Sequence, residues 1–426
     1  MTPEVKERIE QIRHGNVPKG YKKGKYGVLP HEWSEETLSN LSDNITKGAT
    51  PTTYGHTWVD EGVLFLRSDC VSEDGFVNRE PVFISEKAHR MMSRSVVRAG
   101  DILISITGYL GKVGLVPACI QEANINQHIA RVRPHEDRCN PAFVYYYLGT
   151  DPLKCWFDLI QTGQAYPQLS LEQIRQIKMP VPSITEQQKI AEVLGAQDTF
   201  IKLKEKLLEE KQRQKKCLMQ QLLTGKKRLP GFVGEWKKVA ISSFIHERDE
   251  KTTENNQYDI LSVTKNGIVR QSEHFNKQIA SEDNTGYKVL RRGNLAFSSM
   301  NLWMGSLDVL EDYEIGIISP AYKVFSFDSS LMDISFGKQF MRSEPMIWQY
   351  KANSEQGASI VRRNLDLNAL LSTKVRIPNL DEQRAIALVF VTADKEIELL
   401  RQTIEQEKQK KKALIQLLLT GIVRTC

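Results

Sequence analysis

A chain of 426 residues can build two or three domains with real cores, and 40% apolar against 26% charged residues is the balance of an ordinary water-soluble protein. No stretch of 18 uncharged apolar residues occurs, and the polar start Met1-Thr-Pro-Glu-Val-Lys6 lacks a signal-peptide core, so the sequence predicts no membrane helix and a cytoplasmic protein. The net charge of +6 is a weak pointer to nucleic acid, and the six scattered cysteines (Cys70, Cys119, Cys139, Cys155, Cys217, Cys426) form no zinc or Cys-x-x-Cys pattern and read as reduced packing residues.

Residues 1–29 open with a helical piece over 3–14, followed by a lysine cluster at Lys19, Lys22, Lys23 and Lys25. Residues 30–181 form a strand-rich unit. Gly100-Asp-Ile-Leu-Ile-Ser-Ile106 and Asn126-Gln-His-Ile-Ala-Arg-Val132 are short β-branched runs bounded by Gly, Asn and Asp, the mark of strands. Ser170 is placed to cap a short helix, and the apolar run Ile177 to Val181 leads as a strand out of the unit.

Residues 182–228 carry one long helix. Pro182 stands ahead of it, Thr185 is the expected N-cap and Glu186 lies in the first turn. No proline interrupts the next 40 or so positions, Gly225 suits a left-handed cap, and the helix would span about 58 Å. Apolar positions Ile190, Val193, Leu194, Phe200, Ile201, Leu203, Leu207 and Leu208, then Leu218, Met219, Leu222 and Leu223, recur at three and four. Between them Glu209 to Lys216 is almost purely polar, and Lys211, Arg213, Lys215 and Lys216 with Lys226, Lys227 and Arg228 form a basic cluster that reads either as a pointer to nucleic acid or as a solvated helix face.

Residues 229–377 repeat the strand-rich unit more weakly. Gly293-Asn-Leu-Ala-Phe-Ser-Ser299 answers the first strand run, Ser319-Pro-Ala-Tyr-Lys-Val-Phe325 the second, and Asp366 the helix cap at Ser170. Residues 378–426 hold a second long helix, with Asp381 as expected N-cap and a lysine cluster from Lys408 to Lys412. Pro378–Gly421 realigns on Pro182–Gly225 at a constant offset of 196, without a gap and with 18 of 44 positions identical. A period near half the chain means two copies of one large unit. Each helix buries its apolar face most cheaply against the other copy, as a coiled coil. Gly27 to Trp33 also resembles Arg228 to Trp236, so a twofold relation would return the C-terminus to the N-terminus. The expected fold is α+β: two similar globular units separated by two long antiparallel helices, pseudo-twofold and circularly arranged.

Chemistry is conspicuous by its absence. There is no phosphate-binding loop of the Gly-x-x-x-x-Gly-Lys-Ser/Thr type and no Gly-rich cofactor loop after a strand. Asn140-Pro-Ala-Phe143 resembles the Asn-Pro-Pro-aromatic element of adenine methyltransferases but lacks its second proline, and reads as a helix start with Pro141 in the first turn. His128 falls in an apparent strand whose second copy carries Tyr322, which makes it a packing or surface residue.

Four features together resemble the specificity subunit of type I restriction-modification systems. They are Gly100-Asp-Ile-Leu-Ile-Ser-Ile-Thr-Gly108 with Gly111-Lys-Val-Gly114, Gly163-Gln-Ala-Tyr-Pro-Gln-Leu-Ser170 running on to Ile177-Lys-Met-Pro-Val-Pro-Ser-Ile-Thr-Glu-Gln-Gln188, the Leu-Leu-Thr-Gly helix ends, and the order domain, helix, domain, helix. The second unit departs from the pattern at Gly293-Asn294 and at Ile360-Val-Arg-Arg363. The resemblance implies two target-recognition domains, each reading one half of a bipartite asymmetric DNA site, with helices that space the halves and dock methyltransferase subunits. It implies double-stranded DNA, two methyltransferase subunits and restriction subunits as partners, no catalysis by this chain, and S-adenosylmethionine, ATP and Mg²⁺ bound by those partners.

Polar loops between elements are the expected reading surface, since base edges are met by Arg, Lys, Asn and Gln and phosphates by Lys, Ser and Thr. In the first unit these are Lys47, Thr50, Thr52, Thr53 and Tyr54; Arg67 and Ser68; Thr107, Tyr109 and Lys112; and Gln164, Tyr166 and Gln168. In the second they are Lys251, Thr264, Lys265, Asn266, Asn301, Trp303, Ser359, Arg362 and Arg363. The competing readings are a coiled-coil scaffold with two protein-binding domains, and a nuclease or methyltransferase with an unrecognised site.

Overall fold

The computed structural model describes residues 2–163, 166–264, 267–274, 283–356 and 363–425. It divides into two units. One is residues 1–204 together with 403–426, and the other is residues 205–402.

The long helices are Ile184–Leu222 and Leu380–Leu419. Each begins earlier than the sequence reading placed it. Ser183 Oγ accepts from Glu186 N at 3.3 Å and Asn379 Oδ1 accepts from Glu382 N at 2.9 Å, so these residues are the caps, and Thr185 and Asp381 belong to the first turn. The helices pack antiparallel inside each unit. In the first unit Ile190 and Leu194 share a core with Leu418 and Leu419; in the second Leu222 and Leu223 share one with Ile386 and Phe390. Full burial of each such side chain stabilises by about 2–3 kcal/mol. Val193, Phe200, Leu203 and Leu207, expected at that seam, are instead exposed, as is Leu399 on the second helix, because a helix pair covers only one face of each helix.

The same sheet is built in both units. In the first its order is Val113–Leu115, Ile102–Ser105, Ile129–Pro134, Ser42–Lys47, all antiparallel. In the second it is Leu307–Val309, Leu295–Ser298, Tyr322–Phe327, Ile245–Arg248. A second, five-stranded sheet in the first unit sets Ala123–Ile125 parallel to Val63–Leu66. Two short helices come after the main sheet, Pro141–Leu148 and Asp151–Ile160 against Ile334–Met341 and Glu344–Ala352. Asn140 Oδ1 caps the first of these at 3.1 Å from Phe143 N, so the Asn-Pro dipeptide is a helix start.

The departure at Asn294 is explained by its surroundings. Asp101 accepts Arg98 N at 2.9 Å and holds Arg133 through two bonds of 2.7 and 2.6 Å. Asn294 keeps the turn, accepting Arg291 N at 3.1 Å, while the residue at the place of Arg133 is Ser326. The charge was needed only where an arginine required it.

Both long helices are anchored by a glutamate and a glutamine in the first turn, of which the sequence reading named Glu186 as an acidic first-turn residue. Glu186 receives Arg424 at 2.6 and 3.0 Å and the Trp33 indole at 3.2 Å. Glu382 receives Arg228 through a two-pronged contact, with Arg228 5.8 Å from the Trp236 ring. Arg228 is therefore an internal anchor rather than part of a solvated basic face. Burial pushes the Glu186 carboxyl up, but Arg424 and Trp33 more than offset it and hold the group below the usual carboxylate range. Gln187 accepts Asn140 N and donates to the Arg138 and Pro182 carbonyls, and Gln383 does the same with Asp333 N and the Leu331 and Pro378 carbonyls. The polar mid-helix stretches also pair: Lys411 with Asp198 at 2.5 Å, and Lys215 with Asp394 at 2.5 Å.

Gly225 and Gly421 take the expected left-handed conformation, with φ of 69° and 67°. At Gly421 a side chain is doubly barred, since a Cβ would lie 2.5 Å from Pro30. The helix Pro3–Arg13 reaches the same place: Arg8 donates to the Ile422 carbonyl at 3.2 Å and the Tyr21 hydroxyl to the Gly421 carbonyl at 2.8 Å. Of the cysteines, Cys70 and Cys139 are buried, and burial lifts the Cys139 thiol to about 11. Cys119, Cys155 and Cys217 are exposed, so packing does not explain them, and Cys426 lies outside the described residues.

Candidate nucleic-acid interface

In the first unit four loops chosen from sequence gather around one turn, Asn126–His128: backbone hydrogen bonds tie three of them to the turn or its flanking residues, and the fourth joins through the third. The loop at 47–54 is tied by Gly48 N to the Ile129 carbonyl at 3.3 Å and by Ala49 N to the Ile125 carbonyl at 3.2 Å. A Cβ at Gly48 would stand 1.8 Å from that Ile125 oxygen, so only glycine permits the approach. Asn126 N donates to the Leu66 carbonyl at 3.1 Å, which sets Arg67 and Ser68 beside the turn. Ile106 N donates to the His128 carbonyl at 2.9 Å, so Thr107 and Tyr109 leave from its other flank. Gly108 N then holds the Pro167 carbonyl at 3.0 Å, and Thr107 bridges to Gln168, bringing in Tyr166.

The side chains there suit a polyanion flanked by aromatic bases. Tyr109 and Tyr166 are 81% and 68% exposed, and Tyr54 is also exposed. Lys112 Nζ sits 4.7 Å from the Tyr109 ring centroid and 3.9 Å from Glu73. Thr52, Thr53, Lys47, Ser68 and Gln168 are exposed or partly so, and Thr50 is half-buried. Arg67 rests on Asp69 at 2.9 Å and reaches Glu80 at 4.0 Å; trading such a surface pair for a phosphate costs little. Gln164 lies outside the described residues.

In the second unit the equivalent loop carries Asn301 and Trp303 and closes on Gly305. Arg363 N donates to the Met300 carbonyl at 3.3 Å, and its guanidinium lies 5.9 Å from the Trp303 ring while donating to Ser354 Oγ and O at 3.0 and 2.7 Å. Asn301, Trp303 and Arg363 thus come together. Among the described residues, the buried Asn301 Oδ1 and Trp303 Nε1 have no hydrogen-bond partner. Thr264 closes a hairpin by donating to the Gly267 carbonyl at 2.9 Å, and Lys251 pairs with Asp249 at 3.3 Å. Lys265, Asn266, Ser359 and Arg362 lie outside the described residues.

Sequence reasoning missed the turn itself. His128 was assigned to a strand, yet the strand starts at Ile129 and His128 belongs to the turn on which the four loops converge. The available signal was the polar run Asn126-Gln-His128 between two strands. No group of three or more metal-ligating side chains occurs among the described residues, and none of their helices is long and apolar enough to cross a membrane.

Comparison with known proteins bears on this reading. Residues 30–212 match the model of the type I restriction modification DNA specificity domain. That segment carries the DNA specificity domain of type I restriction-modification systems. The chain is similar to the specificity subunit of the EcoBI type I restriction enzyme of Escherichia coli, at 30% identity over 170 residues. That match spans 38% of this chain and about a third (34%) of the relative. A putative MjaX specificity subunit of Methanocaldococcus jannaschii is 23% identical over 95% of this chain and 96% of its own length. Among solved structures, the HsdS subunit of Thermoanaerobacter tengcongensis matches with a TM-score of 0.53 at 17% identity, covering 94% of this chain and all of that chain. A chain from a study of complex assembly and conformational transition in a type I system gives 0.59 at 16%, covering 93% and 99%. These likenesses establish the same two-unit, two-helix fold.

Proposed function

We propose that this chain is the sequence-reading, noncatalytic component of a type I complex in the cytoplasm of a prokaryote. Each unit reads one half of a bipartite, asymmetric DNA target. The helices set the spacing of the halves, as dimer geometry sets half-site spacing in other DNA-binding proteins. The observation that carries the reading is the pair of loop clusters, built at corresponding places on one sheet order but lined by different side chains. A common frame with exchanged loops is what reading two unlike half-sites requires.

Two methyltransferase subunits would dock on the helices. Leu203 and Leu399 stand 196 residues apart, at the same repeat position, and are 60% and 64% exposed. A duplicated exposed leucine supports two corresponding docking faces. S-adenosylmethionine, ATP and Mg²⁺ would then be bound by the methyltransferase and restriction subunits.

The test compares methylomes of a host carrying this chain with its methyltransferase partner and of a strain lacking this chain. Loss of a bipartite adenine-methylation motif is the expected result. An unaltered pattern, with purified chain binding DNA without a steep salt dependence, would favour a protein scaffold instead.

A further inference from the structure

We infer that Gln127 reads an adenine in the half-site recognised by the first unit; this rests on the DNA-reading function proposed above. The residue lies at the centre of the Asn126–His128 turn, exposed, where the four candidate loops converge. Its amide is held from both sides. The Thr50 hydroxyl donates to Oε1, and Nε2 donates to His128 Nε2 at 3.0 Å. A glutamine Nε2 can only donate, so the imidazole Nε2 is the acceptor of this bond.

After these two bonds the amide retains one lone pair on Oε1 and one N–H on Nε2. An acceptor and a donor side by side match the N6 amino group and N7 of adenine in the major groove. A phosphate would need donors only, and the lysines at Lys47 and Lys112 already serve that purpose. Holding the amide between Thr50 and His128 lowers the entropy lost on contact.

The second unit supports a reading role over a structural one. Its corresponding turn has the same frame: Ala321 N approaches Ser319 Oγ at 3.4 Å where His128 N donates to Asn126 Oδ1 at 3.1 Å. Tyr322 N donates to the Ser319 carbonyl at 3.0 Å, and Ile129 N to that of Asn126 at 3.3 Å. Yet the positions of Gln127 and His128 are filled by Pro320 and Ala321, which offer no side-chain hydrogen bond. The turn does not need the amide; only the first unit has it.

The experiment is the methylome of the assembled complex with Gln127→Ala, beside wild type and Thr50→Ala. Wild type should show a bipartite motif dependent on this chain. Gln127→Ala should relax one A·T position in one half, with discrimination there falling about 10- to 100-fold, while the other half and the spacer stay intact. Thr50→Ala should relax the same position less. An unrelaxed motif, whether methylation is unchanged or uniformly weaker, overturns the assignment of Gln127 alone. If wild type gives no chain-dependent bipartite motif, the DNA-reading function fails and the adenine assignment falls with it. An unchanged melting temperature for the purified Gln127→Ala chain confirms that the fold is not the cause.

Discussion

The two units share a sheet order, an antiparallel helix pair and one set of anchoring pairs, but they are closed differently. In the second unit the helix end at Gly225 runs directly into Trp236 and the strand beyond it, so closure is covalent. In the first unit the helix end at Gly421 comes from the far end of the chain and is held by Pro30, Trp33, Tyr21, Arg8 and the Arg424–Glu186 pair. Among the described residues, the helix Pro3–Arg13 has no counterpart in the second unit. A duplicated unit can therefore be assembled from the two ends of a chain, provided that non-covalent contacts supply what the backbone supplies elsewhere.

That difference yields a graded set of tests. The largest effect is expected from Arg424→Ala, which leaves Glu186 buried beside Trp33 without its partner. It should cost the first unit about 3–5 kcal/mol, and hydrogen exchange should show the loss there and not in residues 205–402. Equal loss of protection in both units would mean that closure is not local.

Ile190→Ala and Ile386→Ala form a matched control, since both side chains are fully buried at the same repeat position. Each should destabilise its own unit by about 2–4 kcal/mol. A smaller contrast separates Asp198 from Asp394. Asp198 accepts the Tyr146 hydroxyl at 2.8 Å as well as Lys411, whereas Asp394 pairs with Lys215. Asp198→Ala should cost about 1–2 kcal/mol by denaturant titration and Asp394→Ala about half that.

The gentlest test uses pH. Glu186 is held below its ordinary range, so its contribution is fully present above the unfolded value near 4.3 and is lost as pH falls through the lower folded value. The first unit should keep this contribution from neutral pH down to about 4.3 and lose it progressively as pH falls further. Glu186→Gln should flatten that acid limb, and an unchanged limb would remove Glu186 from the account.

Much of this was legible in the sequence. The offset of 196 exposed the duplicated helix, and Gly225 and Gly421 marked its ends. What escaped notice depended on contacts between distant segments. Nothing near Arg228 or Arg424 announces that each reaches a glutamate in a remote part of the chain, although extending the repeat past Gly421 would have paired them. The helix caps were misplaced because Thr185 and Asp381 are as good cap residues as Ser183 and Asn379. The exposed Phe200 and Leu203 were assigned to the seam because spacing alone cannot say which helical face is covered. At the interface, loops were chosen by composition, and their convergence on Asn126–His128 came from hydrogen bonds that no local pattern encodes.

The central claim is that each unit reads its own half of the target on a common frame. The most direct measurement replaces residues 30–180 with the corresponding region of a specificity subunit of different target and sequences the methylome of the host. The account predicts a new base sequence in one half of the motif, with the other half and the spacer retained. Replacement of both halves, or of neither, would contradict it.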